Sequence, residues 1–264
     1  MPAASNIEDD YLATGFRDVD ASSLAKMRRC LDFMSALPCF ISYKRQSLEA
    51  MALEKEFAAL DVACGLGDDV VRMKEKCARA VGVDLSEKLI LEAKNRHADS
   101  GCTFQVGNAE NLPFDDVEFD AVRVDRSLQH MAEPAKVIRE MVRVTREGGT
   151  VFCAEPDWGT FIIGTPPSTL TRRIQDSWVE SFRNPWIGRN LPILMANAGV
   201  DSLRLEGHWL HTEGFQASDL VYDISATARK LSGKDEAVDA WLREYRKSQA
   251  IAGVMLIMCW GRKK

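Results

Sequence analysis

The chain has 264 residues, of which 46% are hydrophobic and 28% charged, so it can form one α/β domain with a cap, or at most two small domains. A formal net charge of −5 argues against a protein that binds nucleic acid. The longest apolar run, residues 251–259, is too short to cross a bilayer as a helix.

The N-terminus and the cysteines indicate the compartment. Residues 1–20 are polar and acidic, which argues against a secretory signal, and we expect them to be partly disordered. Seven scattered cysteines without a C-x-x-C pair indicate free thiols. We therefore expect a cytoplasmic protein. No His/Cys cluster has metal-ligand spacing, so we expect no metal.

Two helices are predicted before the first strand. Apolar residues at helical spacing predict a helix over residues 21–34, which Pro38 ends, and a second helix over residues 41–60. Near the start of the second helix, a basic residue, Lys44 or Arg45, could meet a ligand carboxylate, or it could lie on a solvated face.

From residue 57 the apolar pattern alternates between strand and helix periods. Strands are predicted at residues 58–62, 79–84, 103–106, 119–124 and 150–154, and helices at 68–78, 86–98 and 134–146. Pro134 suits a helix start, and residues 147–149 with their two glycines suit its end. Alternation of this kind predicts a parallel sheet with helices on both faces.

The second half of the chain begins with an aromatic segment, residues 156–190, which we expect to lie at the carboxyl edge of the sheet. After it we predict helices at 190–198, 216–231 and 235–250, and strands at 203–210 and 254–260.

The turn after the first predicted strand has ligand-binding character. Residues 57–62 form the strand, Gly65 and Gly67 make a tight turn, and a helix begins at Asp68. A helix N-terminus after a glycine turn is a common anion and cofactor site. A dinucleotide fingerprint would need a third glycine where Val70 stands, which argues against an NAD-linked reductase. A purely structural turn remains the alternative.

An acid also ends the second predicted strand. Asp84 lies one helix and one strand after Gly67, where a carboxylate can accept hydrogen bonds from both ribose hydroxyls of an adenosine. It could instead cap the next helix, or Ser86 could cap that helix while Asp84 faces the ligand.

Residues 57–155 carry four motifs in one order. The first is Asp61-x-Ala63-x-Gly65-x-Gly67, followed by Asp84, by the loop at residues 107–114, and by the Phe-Asp-x-Val to Leu-x-His-x-x-x-Pro stretch at 119–134. Together they resemble class I S-adenosylmethionine (SAM) dependent methyltransferases, of the ubiquinone/menaquinone-biosynthesis-like small-molecule and natural-product group. Ala63 replaces a usual glycine, and Asn108 replaces a usual aspartate.

The resemblance implies a Rossmann-like, seven-stranded sheet of order 3-2-1-4-5-7-6, with the last strand antiparallel. The chain would be one methyltransferase domain. Its parts would be a cap at residues 1–56, a SAM-binding core at 57–155, a cap insert at 156–190, and a C-terminal part with lid helices at 191–264.

The resemblance and the strand ends together also imply the site. The residues expected to bind SAM are Asp61, Ala63, Cys64, Gly65, Gly67, Asp84, Leu85, Asn108, Ala109, Glu110, Asp125 and Arg126. Those expected to bind the acceptor are Tyr43, Trp158, Phe161 and Trp186. His130 follows the fourth strand and suits a general base; packing over the cofactor or capping the next helix is an equal alternative.

The predicted function is methyl transfer from SAM to a small molecule, a secondary metabolite or a quinone-like compound, by in-line displacement. The alternative is a regulatory domain that binds SAM without catalysis. Oxygen, nitrogen and carbon acceptors all stay open. We expect neither nucleic-acid nor membrane partners, and either a monomer or a homodimer.

Overall fold

The computed structural model describes residues 20, 24–165, 168–232 and 235–264. The predicted disorder of residues 1–19 and the start of the first predicted helix lie outside these ranges. Two helices open the described chain, α1 (Leu24–Ala36) and α2 (Pro38–Ala50). Pro38 begins α2, because its missing N–H and fixed φ suit a first turn. The predicted continuation of this helix to residue 60 is wrong, since Ala52 turns into a left-handed conformation (φ 49°).

The core of the fold follows in βα order. Its elements are β1 (Ala58–Val62), α3 (Asp68–Lys74), β2 (Arg79–Asp84), α4 (Glu87–Arg96), β3 (Thr103–Val106), β4 (Phe119–Asp125), a 3₁₀ turn (Leu128–His130), α5 (Pro134–Val144) and β5 (Thr145–Ile163). The C-terminal elements are α6 (Thr169–Glu180), α7 (Ile187–Asn197), β6 (Val200–Glu213), α8 (Phe215–Tyr222), α9 (Ile224–Ser232), α10 (Glu236–Lys247) and β7 (Ile251–Lys263).

The seven strands form one sheet in the order β3-β2-β1-β4-β5-β7-β6. Strands β1 to β5 are parallel, and β7 lies antiparallel between β5 and β6. The predicted fold class and strand order are therefore confirmed. Because the strands are parallel, β2, β1, β4 and β5 bring their carboxyl ends to one edge of the sheet.

Several predicted boundaries are wrong in the second half. Helix α5 ends at Val144, before the two glycines, and β5 is 19 residues long instead of five. It extends through the start of the predicted insert because residues 150–163 pair with β7. The helix predicted over 216–231 is two helices, since Asp223 adopts a left-handed conformation (φ 48°) between them.

Apolar side chains cover both faces of the sheet, as expected for parallel strands with helices on either side. Leu60 and Val122 belong to a buried cluster with Ile138 of α5 and Leu191 of α7. On the other face, Phe152 belongs to a cluster that includes residues of α1 and α2. Within the described residues, none of the helices has both the length and the apolar character needed to cross a membrane.

Candidate active site

A cavity of about 970 Å³ lies at the carboxyl edge of the sheet. The strand order determines which residues line the cavity and how they are ordered across the sheet. Strand β2 brings Asp84, β1 brings the turn at residues 63–67, β4 brings Arg126, and β5 brings Trp158. Helices α1 and α2 close the cavity from above with residues that include Phe40. One continuous space therefore runs from the glycine turn to the aromatic segment.

The glycine turn after β1 contains two glycines with different surroundings. Both have positive φ, 55° at Gly65 and 82° at Gly67, where an L side chain is strained. A Cβ placed on Gly65 meets no atom of the described residues within 4 Å, whereas one on Gly67 lies 2.5 Å from the Phe104 ring. Gly65 thus leaves room for a ligand, and Gly67 allows α3 to pack closely.

Asp84 ends β2 with its side chain at the cavity. Its carboxylate accepts hydrogen bonds from the backbone N–H of Gly65 (2.9 Å) and of Ser86 (2.9 Å). Burial raises the pKa of Asp84 above its ordinary value, against these backbone hydrogen bonds. Ser86 caps α4 by accepting from the Leu89 N–H (3.1 Å). Ser86 therefore caps the helix, and Asp84 lies at the cavity.

The loop after β3 places Asn108, Ala109 and Glu110 on the cavity wall. The side-chain carbonyl of Asn108 accepts a hydrogen bond from the Glu110 N–H (2.9 Å), which fixes the turn. A carbonyl oxygen has a second lone pair, so Asn108 keeps one acceptor position for a ligand.

A buried ionic network lies beneath the turn, and one of its members, Arg123, was missed in the prediction of the site. Arg123 on β4 is fully buried and lies in register with Asp61 on β1. Its guanidinium is 3.2 Å from Asp69 and 2.5 Å from Asp125. Lys44 of α2 pairs with the same two carboxylates, at 2.7 Å from Asp125. The sequence signal that could have indicated this network is the pair of charged residues, Arg123 and Asp125, at alternate positions of strand β4.

Burial and charge act oppositely on the acids of this network. Burial raises the pKa of Asp61 to about 7, although Arg123 opposes this shift. Asp69 is also buried, but Lys44 and Arg123 hold its pKa below its usual range. The network therefore ties the cap helix α2 to the ends of β1 and β4.

The 3₁₀ turn that carries His130 is held from three sides. The buried Glu155 carboxylate accepts from the N–H groups of Ser127 and Leu128, both at 2.7 Å. The Asn184 amide donates to the carbonyls of Leu128 (3.0 Å) and Met131 (2.7 Å). The Trp158 indole donates to the Gln129 side chain at 2.6 Å. His130 consequently lines the cavity from a well-supported backbone.

Aromatic rings form the far wall of the cavity. Trp158 stacks on Phe182 with a centroid distance of 4.3 Å, and Trp178 meets Phe182 edge-on at 5.3 Å. Tyr222 of α8 adds a further edge-on contact to Trp158 at 6.2 Å. This wall also includes Leu210, from a strand distant in the chain, which the sequence did not reveal.

The structure brings all twelve predicted cofactor-binding residues to this one cavity: Asp61, Ala63, Cys64, Gly65, Gly67, Asp84, Leu85, Asn108, Ala109, Glu110, Asp125 and Arg126. His130 and Trp158 also line it. Tyr43, Phe161 and Trp186 are not among the described residues that line it. Tyr43 is buried with its hydroxyl 3.4 Å from Asp125, Phe161 packs behind Trp158, and Trp186 is 51% exposed.

The residues present suit an adenosine-containing cofactor. The open side of Gly65 leaves room for a cofactor to approach the backbone closely, and the Asp84 carboxylate lies at the end of the neighbouring strand. Burial raises the pKa of Cys64 well above its ordinary value, so the thiol stays neutral in the turn. Among the described residues, no group of three or more His, Cys, Asp or Glu side chains could hold a metal ion.

Comparisons with known proteins agree with this geometry. A family model described as a methyltransferase domain matches residues 60–153. A 37.1 kDa Streptomyces fradiae transposon protein is 33% identical over 177 residues, covering 64% of this chain and 50% of that protein. The demethylmenaquinone methyltransferase of Oceanobacillus iheyensis is 25% identical over 205 residues, covering 70% of this chain and 85% of that enzyme.

The fold has solved neighbours as well. The YcgJ protein of Bacillus subtilis aligns with a TM-score of 0.62 at 17% identity, covering 84% of this chain and 97% of that one. This chain spans about half the length of several curated relatives that it matches.

A sheet of this order, with a glycine turn and a strand-end acid at its carboxyl edge, is the Rossmann-like fold that this chain shares with its solved neighbours. The matching family model and the demethylmenaquinone methyltransferase relatives support a class I SAM-dependent methyltransferase of the quinone-biosynthesis-like group.

Proposed function

We propose that this protein transfers a methyl group from SAM to a small, largely apolar, ring-containing acceptor. The observation that carries the proposal is the single cavity, which joins the glycine turn and Asp84 at one end to the aromatic wall at the other. The relationship to demethylmenaquinone methyltransferases supports a quinone-like or secondary-metabolite acceptor.

The cofactor end of the cavity would hold SAM through three elements. When bound, SAM supplies an electrophilic methyl carbon on a sulfonium. The Asp84 carboxylate would accept hydrogen bonds from the ribose hydroxyls, and Gly65 would allow the ligand to approach the backbone. Asn108, Ala109 and Leu85 would flank the base. This division of roles follows the strand order, because each group follows a different strand.

The aromatic end would orient the acceptor and exclude water. Trp158, Phe182 and Tyr222 offer flat apolar surface, which suits a planar ring. Positioning the acceptor within about 3–3.5 Å of the methyl carbon is the main requirement of an in-line displacement. Expulsion of water from this end would protect the sulfonium from competing reactions.

His130 would take a proton from the acceptor, or orient it. It is on the cavity wall, and its ring lies 5.6 Å from that of Phe182 at the aromatic end. An imidazole can act as a base near neutral pH. Glu155 accepts hydrogen bonds from the N–H groups of this turn and Asn184 donates to its carbonyls, and these bonds would keep the ring in place.

The test is a screen for S-adenosylhomocysteine (SAH) release against aromatic alcohols, amines and carbon acids. We expect turnover with one of these classes, and His130→Ala should lower it by roughly 10²–10⁴-fold, because general-base catalysis contributes that much. SAH binding by His130→Ala should stay near that of the wild type.

A small, pH-independent loss in His130→Ala would contradict the base assignment and indicate a packing role. Tight SAH binding with no methylation of any acceptor class would contradict the enzymatic proposal and favour a regulatory SAM-binding domain.

A further inference from the structure

Arg126 occupies an unusual place between the two ends of the cavity. It follows Asp125 at the end of β4 in a left-handed conformation (φ 53°), which its N–H bond to the Ala154 carbonyl (2.7 Å) stabilises. Its guanidinium lies over the Phe40 ring at 5.0 Å and contacts the Met34 sulfur at 3.4 Å. A charged group is thus held among apolar side chains of the cap.

Arg126 pairs with fewer carboxylates than its basic neighbours. Lys44 pairs with two carboxylates and Arg123 with three. In the described part of the chain, Arg126 has one carboxylate within 4 Å, that of Asp125 at 3.6 Å, and Lys44 and Arg123 share that carboxylate at shorter distances. The buried Arg126 Nε has no hydrogen-bond partner there. Against burial, Tyr43 and Asp125 hold the pKa of Arg126 above its ordinary value, so the guanidinium stays charged. Because Arg126 also lines the cavity, this charge can meet a ligand of opposite sign.

The guanidinium belongs to the acceptor end. It lies over the Phe40 ring, and Phe40 lines the cavity together with Trp158 and Tyr222. The cofactor end instead carries acids on its wall, among them Asp84 and Glu110. SAM itself has net positive charge through its sulfonium and ammonium groups, so its binding would add to the positive potential near Arg126. That potential favours an anionic acceptor.

We propose that Arg126 binds an anionic oxygen group, a carboxylate or an acidic hydroxyl, on the ring-containing acceptor. The planar guanidinium fork suits a carboxylate, and the Phe40 ring beneath it limits its orientations. Arg126 is then a specificity-determining residue: it would select anionic acceptors and fix their orientation against the aromatic wall. This inference rests on the proposed function, because it assigns the acceptor to the aromatic end.

The experiment measures probe binding by titration calorimetry on SAH-loaded protein. The probes are naphthalene carboxylate and its neutral carboxamide, which share the ring system and differ in charge. We expect the wild type to bind the carboxylate about tenfold more tightly, the scale of one charge-assisted hydrogen bond. Arg126→Met should remove this preference, and Arg126→Lys should keep part of it, because the charge remains.

Arg146→Met is the matched control, since Arg146 also lies over a phenylalanine, Phe57 at 4.9 Å, and pairs with a carboxylate, Asp120 at 2.6 Å. It should bind both probes as the wild type does. Equal wild-type affinity for the two probes would overturn the inference. The inference would also be overturned if Arg126→Met lost SAH affinity but still preferred the carboxylate probe, because Arg126 would then bind the cofactor.

Failure of the proposed function would look different. Wild-type protein would then bind no SAH, whereas the preference for the carboxylate probe can also be measured on SAH-free protein.

Discussion

Gly65 and Gly67 lie two residues apart in the turn after β1, and both have positive φ. Their neighbourhoods differ, because the missing side chain of Gly65 faces open space and that of Gly67 faces the Phe104 ring. The motif in the sequence suggests that both glycines lie against the cofactor. The structure separates a glycine that makes room for a ligand from one that makes room for the protein.

Alanine substitutions should show this difference. Both variants carry the strain of a left-handed alanine, about 1–2 kcal/mol. Gly67→Ala should lose a further 1–3 kcal/mol, roughly, because its Cβ overlaps Phe104. Gly65→Ala should instead lose more SAH affinity than unfolding free energy. Urea unfolding and calorimetry measure the two quantities, and equal effects of the two variants on stability would contradict the assignment.

At the scale of the element, the 3₁₀ turn Leu128–His130 depends on residues from other segments. Glu155 of β5 satisfies the N–H groups at its start, and Asn184 satisfies two of its carbonyls. Unsatisfied buried N–H groups cost about 1–3 kcal/mol each. The position of His130 therefore depends on side chains that carry out no chemistry.

Glu155→Ala and Glu155→Gln form a matched pair for this turn. Alanine should destabilise the protein by roughly 2–4 kcal/mol, because two short hydrogen bonds to backbone N–H groups disappear. Glutamine should lose less, since its carbonyl oxygen can accept both bonds. Turnover should follow the same order, while SAH affinity changes little. Equal unfolding free energies for the two variants would show that Glu155 does not support the turn.

The sequence predicts elements well where the information is local. Strands β1 to β3 and the cavity residues at their ends were found because a short apolar run precedes each polar residue. The length of β5 was missed because its second half is stabilised by pairing with β7, about a hundred residues later. The break at Asp223 depends on the backbone conformation of one residue, which apolar periodicity does not report.

The site follows the same division. The cofactor end is built from adjacent βα units, so its residues could be predicted from their order. The acceptor end combines Phe40, Trp158, Leu210 and Tyr222 from four separate parts of the chain. Only tertiary packing brings these together. Trp186 and Phe161 were predicted on the wall from aromatic character alone. Trp186 is exposed at the surface, and Phe161 packs behind Trp158.

At the scale of the whole molecule, two buried acids make stability depend on pH. Burial raises the pKa of Glu155 to about 8 and of Asp61 to about 7. The folded protein then binds more protons than the unfolded chain between the ordinary and the raised values. Their contribution is present at low pH, and stability falls as the pH rises from about 4 to about 8.

Glu155→Gln tests this dependence because it removes one titrating group while keeping the shape. The wild-type Tm should fall between about pH 4 and about pH 8, and the variant should show a smaller fall over the same range. Thermal unfolding at fixed ionic strength measures both. An unchanged or steeper fall in Glu155→Gln would exclude Glu155 as the source.

The central claim is that SAM binds at the glycine turn with its ribose on Asp84. Calorimetric titration of SAH into wild type, Asp84→Ala and Asp201→Ala tests it most directly. Asp201 is an exposed aspartate that, like Asp84, accepts a hydrogen bond from a nearby backbone N–H (2.7 Å), and it lies outside the described cavity wall. Asp84→Ala should weaken binding by roughly 1.5–3 kcal/mol, the range for hydrogen bonds to charged groups, while Asp201→Ala binds as the wild type does. Wild-type SAH affinity in Asp84→Ala would contradict the account.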